Sequence, residues 1–470
     1  MKTENKNLST VRIPQPGFKI PFLGHLFYMR PDLSETFLSL SKLGPIYRLQ
    51  LGSYKILVVT SLELVKEVCD ESRFEKNVEG AFSKVFAQSL PDVITTLSTR
   101  DPFWERLHRT ILPGFAPKTV LEDYYTITIG CLEELFTKWK NIPEKEEVNI
   151  NNTVSCLFRD IFGLLAFDYR FNSLSSNENQ PVAIAMEDVF KTYAQVIFLP
   201  NFLQKLFFRV NRKLQHDLTV LDQFAEEIIE RKNQTPEQNS KNNFLNLMLN
   251  TTDKVTGEKL SKSHIKTHII AFYIAAQDST TALINFAFYA LMTYPNVLEK
   301  AYAEIDQILG TNPDPPPAEN FLKLQYMQQV LNECLRLWFG NLAQERTPLE
   351  DTILGGKYPV KKGENIWTVT SLIQRDKTIW GEDANSFNPD RFAPELQNKR
   401  DPCTFLPFGV GKRTCLGRQV ALFEASVIIG RILQKYRLHL RPDYKFGVTF
   451  NLSLFPNTLW ATLEKRIVQK

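Results

Sequence analysis

The segment FGVGKRTCLG, residues 408–417, places a single cysteine, Cys415, where its chemistry would differ from that of an ordinary thiol. An apolar helical pattern follows it (Val420, Phe423, Val427, Ile428) and a glycine-containing loop precedes it. A thiol there meets unsatisfied backbone N–H groups and the positive end of a helix dipole, which favours thiolate. Gly411 and Gly417 would let the backbone approach something flat and bulky, and Arg413 supplies a fixed cation nearby. A thiolate ligand to iron suits these features; a buried structural cysteine is the other reading of the same residues. A phosphate-binding P-loop is excluded, because Leu406 stands where its first glycine belongs and Arg413 where Ser or Thr would follow the lysine.

Other groupings carry charge or protons. Glu333 and Arg336 in NECLRLW lie one helical turn apart and can pair, although an isolated pair of this kind is more often a surface feature. Residues 275–280, AAQDST, set an acid, Asp278, beside an alcohol, Ser279. Trp104 and His108 share a helix face at i,i+4 spacing. His264 and His268 have the same spacing, which can bind a metal, but no HExxH glutamate and no third ligand accompany them. They read as exposed or capping residues at a helix start.

These residues need elements to position them. The stretch 47–60, YRLQLGSYKILVVT, reads as a β-hairpin turning at Gly52-Ser53. A helix capped by Ser61 follows. Helical periodicity dominates 120–310, with polar loops at 173–180 and 233–243 and a proline-rich surface loop at 311–320. Short strands are predicted around Ile353, Tyr358 and 366–369, and a helix over 416–436. The apolar stretch 264–294 is about 30 residues, roughly 45 Å of helix. The polar cluster 277–281 at its middle excludes a bilayer span and points to a core helix passing a buried site.

Composition agrees. There are 34 Phe and only 20 Gly, which favours long helices round a bulky apolar interior. The net charge of +4, with no basic-aromatic stripe, excludes a nucleic-acid binder. Six cysteines without a CxxC read as reduced thiols. No signal peptide or membrane anchor opens the chain, so a cytoplasmic protein is expected. With no repeat and no composition shift, 1–470 reads as one mainly α domain with a minor β portion, its first dozen residues disordered.

The run Phe408-x-x-Gly411-x-Arg413-x-Cys415-x-Gly417 resembles the haem-binding loop of cytochromes P-450. Glu333 and Arg336 match the family's ExxR pair, Arg391 in FNPDRF its third charged partner, and AAQDST its oxygen-activating stretch, with Ser279 where Thr is usual and Ala276 where Gly is usual. The segments CDESRFEKN, DYRFNSL, EDTILGGKYPVKKGE and RDKTIWGED are similar to the haem domain of self-sufficient bacterial fatty-acid hydroxylases.

The resemblance implies a triangular prism of helices holding haem b between the central helix and the cysteine loop. It makes Cys415 the iron ligand, Lys76, Trp104, His108 and Arg413 the propionate contacts, and Phe408 a neighbour of the thiolate. Asp278 and Ser279 would deliver protons to iron-bound O2, with the substrate between Ile94, Ala275, Asn341 and Leu452. The carboxylate anchors of the fatty-acid hydroxylases fall on Tyr54 and Val58, which predicts a bulkier or uncharged lipid-like substrate. A peroxygenase is disfavoured because Asp278-Ser279 stands where peroxide users carry Arg-Pro, and a non-catalytic haem sensor because the acid/alcohol pair is intact. With no reductase-like segment before Lys470, electrons from NAD(P)H are expected through a separate flavodoxin, ferredoxin or flavin reductase. Lys412, Arg106 and Arg109 would form its basic docking patch.

Overall fold

Residues Lys262–Thr293 fold as one long helix, which begins where the Ser261 hydroxyl accepts the His264 N–H at 3.2 Å. From Ile265 to Leu291 it is buried except along its middle. There, accessible Ala271, Phe272, Ala275, Ala276 and Ser279 recur at helical spacing and form a stripe. This central helix packs against Ile150–Phe167, Gln325–Trp338 and Arg418–Lys435. Their apolar faces merge into a single core running from Leu90 to Leu463. Each large side chain buried there contributes about 1.5–3 kcal/mol of transfer free energy.

The structure, a computed structural model, describes residues 11–30, 33–176, 180–196, 208–234, 243–312, 314–338, 343–450 and 453–466. Asn341 and Leu452, expected at the substrate pocket, lie outside the described residues, as do the first ten of the dozen expected to be disordered.

A mostly antiparallel five-stranded sheet stands apart from the helical core. Its outer hairpin joins Ile46–Leu51 to Tyr54–Val59 through Gly52-Ser53, with Gly52 at φ 59°. The run Ile56–Val59 is apolar throughout because both faces are covered. Ile56 and Val58 enter a cluster with Trp367, while Leu57 and Val59 enter another with Ile366. The Ser61 cap and the strands Thr352–Leu354, Tyr358–Val360 and Ile366–Thr368 stand where the sequence puts them. Other strands do not, among them Phe74–Lys76, Glu147–Asn149 and Gln344–Pro348. These three are short and polar, and their backbone partners rather than their side chains decide them.

Candidate active site

The cysteine loop is a sequence of tight turns. Gly409 and Gly411 adopt φ of 76° and 72°, conformations that other residues reach only with strain. A 3₁₀ turn over Gly411–Arg413 then returns the chain so that the Cys415 N–H donates to the Phe408 carbonyl at 2.8 Å. The helix Arg418–Lys435 starts immediately after, so the Cys415 sulfur accepts from the Gly417 and Arg418 N–H groups.

Those donors favour thiolate as expected, but burial is the larger influence and pushes the thiol above its ordinary value. The polypeptide alone therefore does not make Cys415 a thiolate. Cys415 is nevertheless accessible. A thiol that protein surrounds closely enough to desolvate, yet that remains reachable, is recessed in a cleft. Gly417 adds to this: a Cβ there would meet nothing of the protein nearer than the Cys415 sulfur at 3.8 Å. Its missing side chain leaves a cradle that no neighbouring residue fills.

Segment 94–97 ties this loop to the central helix. Arg413 donates to the Ile94 carbonyl at 2.6 Å and to the Leu97 carbonyl, and Lys76 donates to the Thr95 carbonyl. The Ile94 N–H in turn donates to His268 Nε2 at 3.3 Å, and His268 Nδ1 donates to the His264 carbonyl. His268 is fully buried, held down to about pKa 4 chiefly by desolvation. It is thus a neutral core histidine, which corrects its reading as exposed or capping. It lies one turn before Phe272, at one end of the accessible stripe.

Trp104, His108 and Arg413 come together as expected. The Trp104 and His108 rings stack at 5.0 Å, and the Arg413 guanidinium lies 4.6 Å from the Trp104 ring centre. Burial lowers the His108 pKa, helped by the Arg413 and Arg109 charges, so the imidazole is neutral. The sequence reading missed Arg346, which pairs in register with Lys76 across two antiparallel strands. Like charges placed directly opposite repel. Burial first, and then the Arg413 charge, lower the Lys76 pKa to about 8.

Among the described residues, no carboxylate forms an ion pair directly with Lys76, Arg346 or Arg413, although Glu345, Glu71 and Glu75 stand near them. Burial raises Glu345 to about pKa 7, while Glu71 accepts the Lys412 N–H at 2.9 Å and Glu75 the Ser98 hydroxyl at 3.2 Å. Trp104 Nε1, Arg413 Nε and one terminal nitrogen of Arg346 are buried donors without an acceptor. Buried donors of this kind are costly unless an acceptor meets them, and the arrangement fits a dianionic group such as a pair of carboxylates.

On the central helix, Ser279 Oγ donates to the Ala275 carbonyl at 2.7 Å. Asp278 stands about 100° round the helix from Ser279 and meets the Ser453 hydroxyl and N–H. Burial is the main cause that raises its pKa to about 6, and its Oδ2 has no partner. Tyr54 lies elsewhere, half-buried on the sheet hairpin, with Val58 buried on the same face and Lys55 exposed on the other.

The Glu333–Arg336 pair is fully buried and bidentate, at 2.7 Å for each contact. Arg391 approaches Glu333 at 3.6 Å and also pairs with Asp383 at 2.5 Å. The expected docking patch is not supported. Arg109 is held by the buried Asp253 through two contacts of 2.9 Å, and Arg106 by Glu258, so their charges are already compensated.

The chain matches the family model for Cytochrome P450 over residues 14–458. A bifunctional cytochrome P450/NADPH–P450 reductase of Bacillus cereus is 37% identical over 450 residues, 94% of this chain and 41% of that protein. A bifunctional cytochrome P450/NADPH–P450 reductase of Bacillus subtilis is 34% identical, covering 97% of this chain and 42% of that protein. A self-sufficient cytochrome P450 monooxygenase of Phanerodontia chrysosporium is 32% identical, covering 95% and 42%. The chain therefore spans about two-fifths of the length of these curated relatives. Among the described residues, no helix is long and apolar enough to cross a membrane.

Proposed function

The chain belongs to the cytochrome P450 family, a mainly α fold of oxidoreductases, and from that premise we propose a haem monooxygenase that hydroxylates an apolar, lipid-like substrate. It would take one oxygen atom from O2 and electrons from NADPH through a reductase of the kind its relatives' names carry. The observation that carries this reading is the recessed, accessible Cys415 beside buried cationic donors that lack an anion.

Haem, when bound, supplies the oxygen-activating iron of the family. Cys415 would hold that iron and Phe408 would pack beside the sulfur. Lys76, Arg346 and Arg413, with Trp104 Nε1 and neutral His108, would take the two propionates as charge-assisted hydrogen bonds. Gly417 would leave room for the ring. The stripe Ala271, Ala275 and Ser279 would face the substrate, with Ile94 closing one end. Asp278, half protonated near pH 6, can hold a proton on Oδ2. Ser279 Oγ, its own hydrogen turned to the Ala275 carbonyl, keeps lone pairs to receive a proton through water.

Substrate class follows from the hairpin. Arg48 is tied to Glu364 and Lys55 points away from the Tyr54 face. That face offers a fatty-acid carboxylate only the neutral Tyr54 hydroxyl, which favours an uncharged lipid. Cys415→Ala should abolish the ferrous–CO absorption typical of the family, and a variant that keeps it would overturn the haem reading. Spin-shift titrations should favour a methyl ester or alcohol over the parent fatty acid; clearly tighter binding of the acid would overturn the substrate class alone.

A further inference from the structure

Cys69 and Cys403 take no part in the site described above, yet they stand on two elements that pack together. Cys69 closes the helix Leu62–Val68, and Cys403 lies in the 3₁₀ turn Pro402–Thr404, ahead of the cysteine loop. The two elements are held together independently of the thiols. Lys66 pairs with Asp401 at 2.7 Å, and Asp401 also accepts the Cys403 N–H at 2.9 Å. Cys69 and Cys403 are close enough to shift each other's ionisation, and both residues are half-buried, so small solutes can reach them.

We propose that Cys69 and Cys403 form a peroxide-oxidisable dithiol, a modification site that closes into an intramolecular disulfide. Thiolate is the nucleophile in such chemistry, so the first sulfur attacked is the one whose thiolate is better stabilised. That sulfur belongs to Cys403. The influence of Cys69 lowers its pKa and outweighs burial and the Asp401 carboxylate, which raise it; the Lys66 charge adds a smaller lowering. In return Cys403, together with burial, raises Cys69 and keeps it a thiol.

The Cys403 thiolate attacks one oxygen of hydrogen peroxide, the O–O bond breaks, and the departing hydroxide takes up the proton that Cys403 released on ionising and leaves as water. The resulting sulfenic acid is then attacked by Cys69. An S–S bond forms and the second oxygen leaves as water with the Cys69 proton. Two thiols lose two electrons and one peroxide becomes two waters.

The place gives this reaction a consequence. Glu71, two residues after Cys69, accepts the Lys412 N–H at 2.9 Å and fills the space a Gly411 Cβ would need. One helix end therefore grips the segment 403–412 at both extremities, and oxidation would make one of those grips covalent.

The test is thiol mapping of the haem-loaded chain after stepwise addition of hydrogen peroxide, by alkylation, digestion and mass spectrometry. The expected product is a peptide joining Cys69 to Cys403, lighter than the two free peptides by two hydrogen atoms. It should form before the equally accessible Cys156 is oxidised and should reopen with a thiol reductant. In Cys69→Ser, dimedone should trap Cys403 as a sulfenic acid and no linked peptide should appear. Alkylation of both thiols undiminished at a peroxide dose that oxidises Cys156 would overturn the proposal. So would oxidation of either one without the cross-link in the unsubstituted chain. Because peroxide is added, the result does not depend on the substrate or the electron donor proposed above.

Discussion

Arg336 and Arg346 lie close in sequence and are both almost fully buried, 1% and 3% exposed, yet their surroundings differ in kind. Arg336 spends every nitrogen: two contacts to Glu333, and others to the carbonyls of Gln374, Ala384 and Ser386. Its neighbourhood is electrically closed. Arg346 reaches one neutral acceptor, the Val410 carbonyl at 3.3 Å, keeps one terminal nitrogen without a partner, and faces a second cation across the strands. Its neighbourhood leaves buried cationic donors without an acceptor. The first cluster belongs to the finished fold. On the function proposed above, the second would be completed only when an anion arrives, so substitutions in the two should differ in what they damage.

The largest effect is expected in the closed cluster. Glu333→Ala leaves Arg336 buried without its carboxylate and strips the Asn388 N–H of its acceptor. Breaking a buried pair costs about 3–5 kcal/mol, a large part of a domain's stability. We expect little soluble protein, and a denaturation midpoint far below that of the unsubstituted chain whether or not haem is present. A variant within about 1 kcal/mol of the parent would mean that the cluster is not closed as described.

The open region has a neutral anchor, and acid should loosen it. His268 holds the Ile94 N–H while Arg413 holds the Ile94 carbonyl. Its folded-state pKa of about 4 lies below the ordinary 6.5, so the unfolded chain takes up the proton first. Stability is therefore full above pH 6.5 and falls as the pH drops towards 4, by about 3 kcal/mol at most. Urea unfolding of His268→Asn should lose that part of the acid dependence, although the variant is less stable at pH 7. An unchanged slope between pH 6.5 and 4 would show that another group governs it.

The contrast between the clusters also explains what could be read from the sequence. Glu333 and Arg336 are three residues apart, and the 408–417 loop is a local run whose glycines, arginine and cysteine stand at fixed spacing. Local geometry writes both into the chain. Arg346 could not be found that way, because it matters only through its register with Lys76, which sits 270 positions earlier. The docking patch failed for the same reason, since Arg109 finds its compensating Asp253 144 residues away. His268 was misread because a helix that is apolar nearly all round does not disclose which side faces the 94–97 segment. Thiolate at Cys415 was argued from the free backbone N–H groups and the helix dipole. Desolvation, which opposes it, depends on packing that no local motif records.

The smallest effect should separate the two regions most sharply, because it is expected to change sign. Lys76→Met removes a cation but keeps the apolar stem that packs along the sheet. In the polypeptide freed of haem, the Lys76–Arg346 repulsion disappears, and a like-charge cross-strand pair costs roughly 0.2–1 kcal/mol. The urea midpoint should therefore stay level or rise. With haem bound, the same change would delete the charge-assisted contact proposed between Lys76 and a propionate, an expected loss of about tenfold in affinity, or ~1.4 kcal/mol. Transfer of haem to excess apomyoglobin should report this as faster loss. A substitution in the closed cluster cannot behave so, since it lowers stability in both states. If Lys76→Met weakens the haem-free and haem-loaded forms together, the cations are part of the fold and the open region does not await an anion. If it weakens only haem retention, the cations serve a ligand that the sheet register alone had prepared for.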